Sequence, residues 1–303
     1  MSDPTNIRKL RHLQIVTQDP ATDRGKFYFD AIQLQHRALP ELNLDEVDPS
    51  TGFLGKRLAF PLLISSMTGG DHALIRRINR NLACAAEECG VAMAVGSQRV
   101  LFSRPGSAAS FNLRRYAPTA LLLANLGAVQ LNHGFDAGTC RQAVAASGAD
   151  GLCLHLNPLQ EAVQPDGDTN FKGLAAKIGR VARQLDCPVI VKEVGAGVSL
   201  ADARLLLRHG IRYIDVAGAG GTSWSRIEHH ARAARGHGDL GLVFQDWGLP
   251  TPAALAALRP LRGKLTVVAS GGIRSGIDMA KALILGAAVC GVAAPLLKPA
   301  MES

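Results

Sequence analysis

The sequence predicts a closed (β/α)8 barrel of the TIM type, carried by residues 60–303 and preceded by an N-terminal extension over residues 1–59. Three observations predict it. From residue 60 onward, eight short apolar runs alternate with amphipathic stretches. The runs are almost continuously apolar rather than alternating, so both of their faces are covered, as in a parallel sheet flanked by helices. Eight such units close a ring more readily than they leave an open doubly wound sheet, and a single barrel of about 250 residues accommodates a chain of this length.

The strands follow in order as FPLLISSM (60–67), GVAMAVGS (90–97), TALLLANLG (119–127), GLCLHLN (151–157), CPVIVKEVG (187–195), YIDVAGAGG (213–221), LTVVASGG (265–272) and AVCGVAAP (288–295). Between the first two, Ile75, Ile78, Leu82 and Ala86 recur at helical spacing and Gly90 supplies a stop, which predicts a helix over 73–89. Further helices are predicted over 173–185, 200–209, 251–258 and 275–286. Residues 1–59 mix proline, acidic and short apolar stretches and are expected to cap the barrel. The connection 221–264 is long, and its segment 234–240, ARGHGDL, reads as a mobile loop.

Composition narrows the function classes. A hydrophobic content of 47% supports a sizeable core, and the net charge of +8 is scattered, with aromatics at only 5%, which argues against a nucleic-acid surface and suits an anionic small substrate or simple solubility. No apolar stretch approaches the ~18 residues of a membrane span. Six cysteines without CxxC pairing fit a reducing cytoplasm, several of them as small hydrophobes within apolar runs.

Barrel chemistry sits past the carboxyl ends of the strands. Strand seven ends in SGGIRSG (270–276) and strand eight in GVAAP (291–295); backbone N–H groups in such turns cradle a phosphate, although tight turns that need glycine read the same way. Ser66, Met67, Thr68 and Gly69 end strand one, Asn125 ends strand three, Lys192 ends strand five and Thr222 follows strand six. Hydroxyl, amide and ammonium groups at successive ends suit a planar, polar-edged ring laid across the mouth, best matched by a flavin mononucleotide. Val194-Gly195-Ala196-Gly197 superficially resembles a dinucleotide fingerprint, but Leu200 stands at the third glycine position. Strand two runs into Ser97-Gln98-Arg99, and Arg8-Lys9 lies on what reads as a flexible extension; these cations either clamp a diphosphate or, for Arg8-Lys9, form a solvated terminal pair. Past strand four, HLNPLQE offers His155, Asn157, Gln160 and Glu161 at a site edge.

Taken together, Arg8-Lys9 with His12, SSMTGG (65–70), GSQR (96–99), ANLG (124–127), HLNPLQE (155–161), VKEVGAG (191–197), GAGGTSW (218–224), FQDWG (244–248) and SGGIRSG (270–276) resemble the type 2 isopentenyl diphosphate isomerases along nearly the whole chain. The resemblance implies reversible isomerisation of isopentenyl diphosphate to dimethylallyl diphosphate. It calls for reduced FMN and Mg2+, with NADPH or NADH keeping the flavin reduced, in a homo-tetramer or homo-octamer. It implies FMN contacts at Ser66, Met67, Thr68, Gly69, Ser97, Asn125, Lys192, Thr222, Gly271, Gly272, Ile273, Arg274, Ala293 and Ala294. Substrate contacts are implied at Arg8, Lys9, Ser97, Gln98, Arg99, His155, Asn157 and Gln160, with Glu161 as the Mg2+ ligand. Gln160 is too weak an acid or base to move the proton itself and is read as an orienting group; His155 is either a phosphate partner or a satisfied core histidine. Two positions depart from the family pattern: Arg11, where an acidic residue is commoner, and Ala217, where some members carry Ser. Two other readings are an FMN-dependent 2-hydroxy acid oxidase or dehydrogenase and a non-catalytic flavin-binding module. The oxidase needs a basic side chain, typically His, at the flavin face, whereas the strand-seven turn offers Gly271 and Gly272.

Overall fold

In the computed structural model, which describes residues 4–67, 69–104, 106–234, 236 and 238–302, the eight apolar runs become eight parallel strands. These are β3 (Leu62–Ile64), β4 (Ala92–Ala94), β5 (Leu122–Gly127), β6 (Gly151–His155), β7 (Val189–Lys192), β8 (Tyr213–Asp215), β9 (Thr266–Ser270) and β10 (Val289–Val292). Each pairs with its sequence neighbour, and β10 returns to β3 through the register Cys290 to Leu62, closing the ring. Parallel pairing requires a crossover after each strand, which sets the carboxyl ends of all eight at one rim.

The predicted helices appear as α2 (Ala73–Cys89), α5 (Leu174–Gln184), α6 (Leu200–Arg208), α9 (Thr251–Leu258) and α10 (Gly276–Ile284). Gly90 stops α2 in a left-handed conformation, φ 63°, as its sequence position predicts. Helices α3 (Ala137–Ser147), α4 (Pro158–Val163) and α11 (Ala294–Glu302) add to these. Two corrections concern the segments read as loops. Residues Pro4–Gln18 form a helix, α1, rather than a flexible extension, and the long connection 221–264 holds α7 (Trp224–Ala233) and α8 (Leu240–Val243) besides the expected α9. Arg235 and His237, in the expected mobile loop, lie outside the described residues. Helix α1 packs on α7, and Arg11 donates to the His230 carbonyl at 2.9 Å, so the cation that departs from the family pattern ties the two helices together.

The opposite rim is closed by a hairpin of β1 (Thr51–Phe53) and β2 (Lys56–Leu58). Phe53 and Leu58 join Leu63, Ala92, Leu121, Leu123, Cys153, Ile190, Val268 and Val289 in one buried cluster inside the ring. Phe53 is 3% exposed and meets Tyr213 edge to face. Truncating it, Phe53→Ala, is expected to cost about 3–5 kcal/mol through lost burial and a cavity. A urea midpoint equal to that of the unaltered protein would show that the hairpin does not seal the floor.

Candidate active site

The strand ends at the upper rim open into two adjoining cavities that share a wall of Lys9, His12, Ser66, Met67, Lys192, Val194 and Trp224. The first lies over β3, β7, β8, β9 and β10 and takes in Thr222, Gly271, Gly272, Ile273, Arg274, Ala293 and Ala294. The second lies over β4, β5 and β6 and takes in Arg8, Ser97, Arg99, Asn125, His155, Asn157, Gln160 and Glu161. The expected cofactor and substrate residues thus fall into neighbouring chambers, with Ser97 and Asn125 on the second side and Ser66, Met67 and Lys192 common to both. Thr68 lies outside the described residues.

Two expected contacts face neither chamber. Gln98 is fully buried in the wall, where its Oε1 accepts the Asn125 N–H and its Nε2 donates to the Ala143 carbonyl, both at 2.9 Å. Its side chain fastens β4 to β5 and α3 rather than meeting substrate. Gly69 packs against the Ser97 backbone so closely that an added Cβ would collide with the carbonyl.

The first chamber is built by glycine. Gly271 has φ 100° and Gly272 φ 81°, and a Cβ on Gly271 would strike the Gly218 carbonyl. Thr251 Oγ1 holds this turn from below, donating to the carbonyls of Ser270 and Gly271. Among the described residues, the N–H groups of Gly272 and Ile273 donate to no protein acceptor. Unpaired N–H groups on a glycine turn before the Gly276 helix fit a phosphate. Arg274 borders the chamber, stacked 4.6 Å from the Phe27 ring centroid and ion-paired to Asp23, so the extension wraps this end of the chamber. Ala217, the other departure from the family pattern, adopts a left-handed φ of 37°. The buried Ser65 Oγ has no partner, an unused polar group on the chamber wall. These features fit an FMN.

Lys192 stands between the chambers. Its Nζ donates to the Glu193 carbonyl at 2.6 Å and lies 3.4 Å from Asp215 Oδ2; Ser270 and the Ala217 N–H hold the other Asp215 oxygen. Glu193 accepts three consecutive N–H groups, Val194, Gly195 and Ala196, which shapes the loop beside the first chamber. Burial nevertheless pushes its carboxyl above the usual range.

In the second chamber, Asn125 donates to Ser66 Oγ and presents its Oδ1 to His155 Nδ1, each at 2.9 Å. Burial, with Lys192 and Lys9 nearby, drives the His155 pKa down to about 3, so the ring is neutral. That bond assigns the proton to Nδ1 and leaves Nε2 as an acceptor. Asn157, Gln160 and Glu161 fall on one side of the short helix α4 because residues three and four apart are neighbours on a helix. Asn157 Nδ2 donates to Gln160 Oε1 at 3.1 Å and to Glu161 Oε1 at 2.8 Å, while the Asp168 N–H donates to Glu161 Oε2 at 2.8 Å. Asn157 Oδ1 is buried with no donor. Among the described residues no three His, Cys, Asp or Glu side chains converge on one point. A hard cation here would therefore take Glu161 and complete its shell from water and substrate oxygens, the usual manner of Mg2+.

Four site residues escaped the sequence reading: Glu228 on α7, Trp224, Gln130 and Asp168. Glu228 is fully buried, accepts Gln160 Nε2 at 2.8 Å and lies 3.2 Å from His12 Nε2. Burial raises its pKa, but His12, Gln160 and Arg8 outweigh that and hold the carboxyl below its usual range. Burial conversely lowers the His12 pKa. Gln160 is thus locked with its NH2 toward Glu228 and its carbonyl toward Asn157. A signal was available in the apolar and polar faces of α7, where Ile227 and Glu228 are both buried; a buried carboxylate requires a partner. Cys140, Cys153 and Cys290 are buried and pushed up to about 12, so their thiols take no part.

A parallel barrel with a phosphate turn after its last strands and a polar-edged chamber at its mouth defines the class of FMN-dependent barrel proteins. The FMN-dependent dehydrogenase family matches residues 161–301. The chain also overlays the flavin-binding domain of baker's yeast flavocytochrome b2 with a TM-score of 0.62 at 18% identity, covering 94% of this chain and 70% of that one. A mandelate oxidase variant with 2-hydroxy-phenylacetamide gives 0.58 at 17%, covering 100% and 88%. At such identities the likeness speaks for the fold. In sequence, it is 59% identical over 300 residues to the isopentenyl-diphosphate delta-isomerase of Paracoccus zeaxanthinifaciens (98% of this chain, 86% of that one) and 54% over 304 residues to that of Hydrogenovibrio crunogenus (100% and 89%). The chain belongs to the FMN-dependent, type 2 isopentenyl-diphosphate delta-isomerase family.

Proposed function

We propose that this chain interconverts isopentenyl diphosphate and dimethylallyl diphosphate by a 1,3-allylic proton shift with no net redox change. One observation carries the reading furthest: a carboxylate with a spare ligand position, Glu161, faces a cluster of cations, Arg8, Lys9 and Arg99, across a chamber that shares a wall with the flavin chamber. The cations would hold the diphosphate by charge-assisted hydrogen bonds, and Glu161 would hold Mg2+, which supplies further positive charge for the phosphate oxygens. Met67, Val194 and Trp224 offer apolar surface on the shared wall, where an alkene is kept from water.

An isolated alkene is a poor proton acceptor, so the site must stabilise cationic character at its tertiary carbon. When bound, reduced FMN supplies an electron-rich ring and acid–base capacity for that shift. Gln160, fixed by Glu228 and Asn157, orients the substrate. His155 stays neutral and holds Asn125 and Ser66 in line. NADPH or NADH would keep the flavin reduced. Residues 1–59 serve as a capping extension that carries Arg8 and Lys9 to the mouth, and residues 60–303 as the catalytic barrel.

The six free cysteines suit a cytoplasmic setting. Exposed Leu39, Leu42, Leu44 and Val47 suit a homo-tetramer or homo-octamer. Among the described residues no helix is long and apolar enough to cross a membrane.

The decisive assay is anaerobic, with photoreduced FMN, Mg2+ and isopentenyl diphosphate; appearance of dimethylallyl diphosphate is expected. Bound FMN with no conversion would instead favour a binding module, and oxidation of a lactate-like acid would favour the oxidase.

Lys9 gives the site a pH dependence. Burial, and Arg8 beside it, lower its pKa to about 8. An anionic substrate prefers the protonated amine, so affinity holds below that pH and falls as Lys9 loses its proton above it. KM is expected to climb by up to about tenfold per pH unit above 8, with kcat moving less. Lys9→Arg, which keeps its charge, should flatten the climb; a KM level from pH 7 to 9.5 in the unaltered enzyme would remove Lys9 from the substrate site.

A further inference from the structure

We propose that Asp168 is a positioning residue for diphosphate recognition, holding the Arg99 guanidinium in register with the turn that carries Glu161. The proposal rests on reading the second chamber as the diphosphate site.

Asp168 joins three segments of the rim. Its Oδ2 accepts from Arg99 Nη1 at 2.8 Å, just past β4, and from Gln130 Nε2 at 2.9 Å, just past β5. His133 Nε2 lies 3.7 Å from its other oxygen. Its own N–H donates to Glu161 Oε2 at 2.8 Å, so one residue holds the candidate metal ligand by its backbone and the candidate phosphate cation by its side chain. Gly167 makes this possible: any Cβ there would collide with the Glu161 carbonyl, and without one the turn folds tightly back on α4. Burial raises the Asp168 carboxyl, but Gln130, Arg99 and His133 outweigh it and keep the group ionised.

The Arg99 side chain is 42% exposed and on a flexible stem. Unheld, it would sample several rotamers and lose that freedom on meeting a ligand; a guanidinium already fixed loses less. Asp168 engages one of its five donors, which leaves the rest of the fork for phosphate oxygens. A latch that had to be broken before binding would instead oppose substrate, so the sign of the effect separates the two roles.

The test compares Asp168→Asn, Asp168→Ala, Arg99→Ala and the double Arg99→Ala/Asp168→Ala in the FMN-loaded enzyme. It measures KM for isopentenyl diphosphate, Ki for inorganic pyrophosphate, kcat and the Mg2+ concentration for half activation. Asp168→Ala is expected to raise KM and Ki about tenfold and leave kcat within about twofold. Half activation by Mg2+ should not move, because the backbone bond to Glu161 survives. The isosteric Asn, which keeps an acceptor but not the charge, should fall between. In the Arg99→Ala background, Asp168→Ala should add nothing, which a merely structural role would not produce. Unchanged or lowered KM in Asp168→Ala, or its full effect persisting without Arg99, overturns the proposal. If Arg99→Ala itself leaves KM and Ki unchanged, the diphosphate reading falls and this proposal with it. If Arg99→Ala raises them and Asp168→Ala does not, this proposal falls alone.

Discussion

Glu161→Gln is expected to lower kcat/KM for isopentenyl diphosphate on the order of a thousandfold, about 4 kcal/mol of transition-state stabilisation, while FMN stays bound. The carboxylate oxygens receive Asn157 Nδ2 and the Asp168 N–H and belong to a chamber also lined by Arg8, Lys9 and Arg99. A carboxamide removes the anionic charge that attracts the cation. Its NH2 end must also face one of those two donors, which leaves a buried donor unpaired at about 1–3 kcal/mol. The first chamber is built by other residues, so the absorption spectrum of bound FMN should be unaltered. Turnover equal to that of the unaltered enzyme at saturating Mg2+ would show that Glu161 is not the ligand.

Lys192→Ala carries the second large effect, on cofactor and fold together. Asp215 is 1% exposed, and among the described residues one of its oxygens has only the Lys192 ammonium nearby, at 3.4 Å. Removing one partner of a buried pair leaves an uncompensated charge, which destabilises by about 3–5 kcal/mol. The ammonium also borders both chambers, so its loss should weaken FMN retention measurably on gel filtration or by fluorescence release. The double change Lys192→Ala/Asp215→Asn separates the two effects: it should recover most of the melting temperature but not the flavin. Recovery of both would mean that Lys192 serves the fold alone, and FMN affinity unchanged in the single variant would take it out of the cofactor site.

Both predictions act on residues that were legible in the sequence, and the reason is the same for each. Inside a parallel barrel every strand is covered on both faces, so its apolarity is nearly unbroken and ends sharply where the chain reaches the rim. Lys192 and Glu161 stand out because they follow such an ending. The helices with a strong apolar stripe, α2 and α5, were equally plain. Helix α3, AGTCRQAVAAS, is built of small and polar residues with little stripe and was not. Helix α1 was hidden for a different reason: beside Leu13 and Val16 its inward face is polar, since Arg8, Lys9 and His12 turn toward Glu228 and the second chamber.

The sequence by itself determined the eight-stranded barrel, the glycine turn at Gly271 and Gly272, and the polar residues at the strand ends, because each is a local pattern of burial or backbone freedom. Only the tertiary structure decided which of these residues share a chamber. Barrel closure brings Glu228 to Gln160 across 68 residues and Asp168 to Arg99 across 69, and it turns Gln98 away from the site it was expected to line. Partnerships of that kind depend on the curvature of the ring and the direction of each side chain, and they leave no periodic trace in the chain.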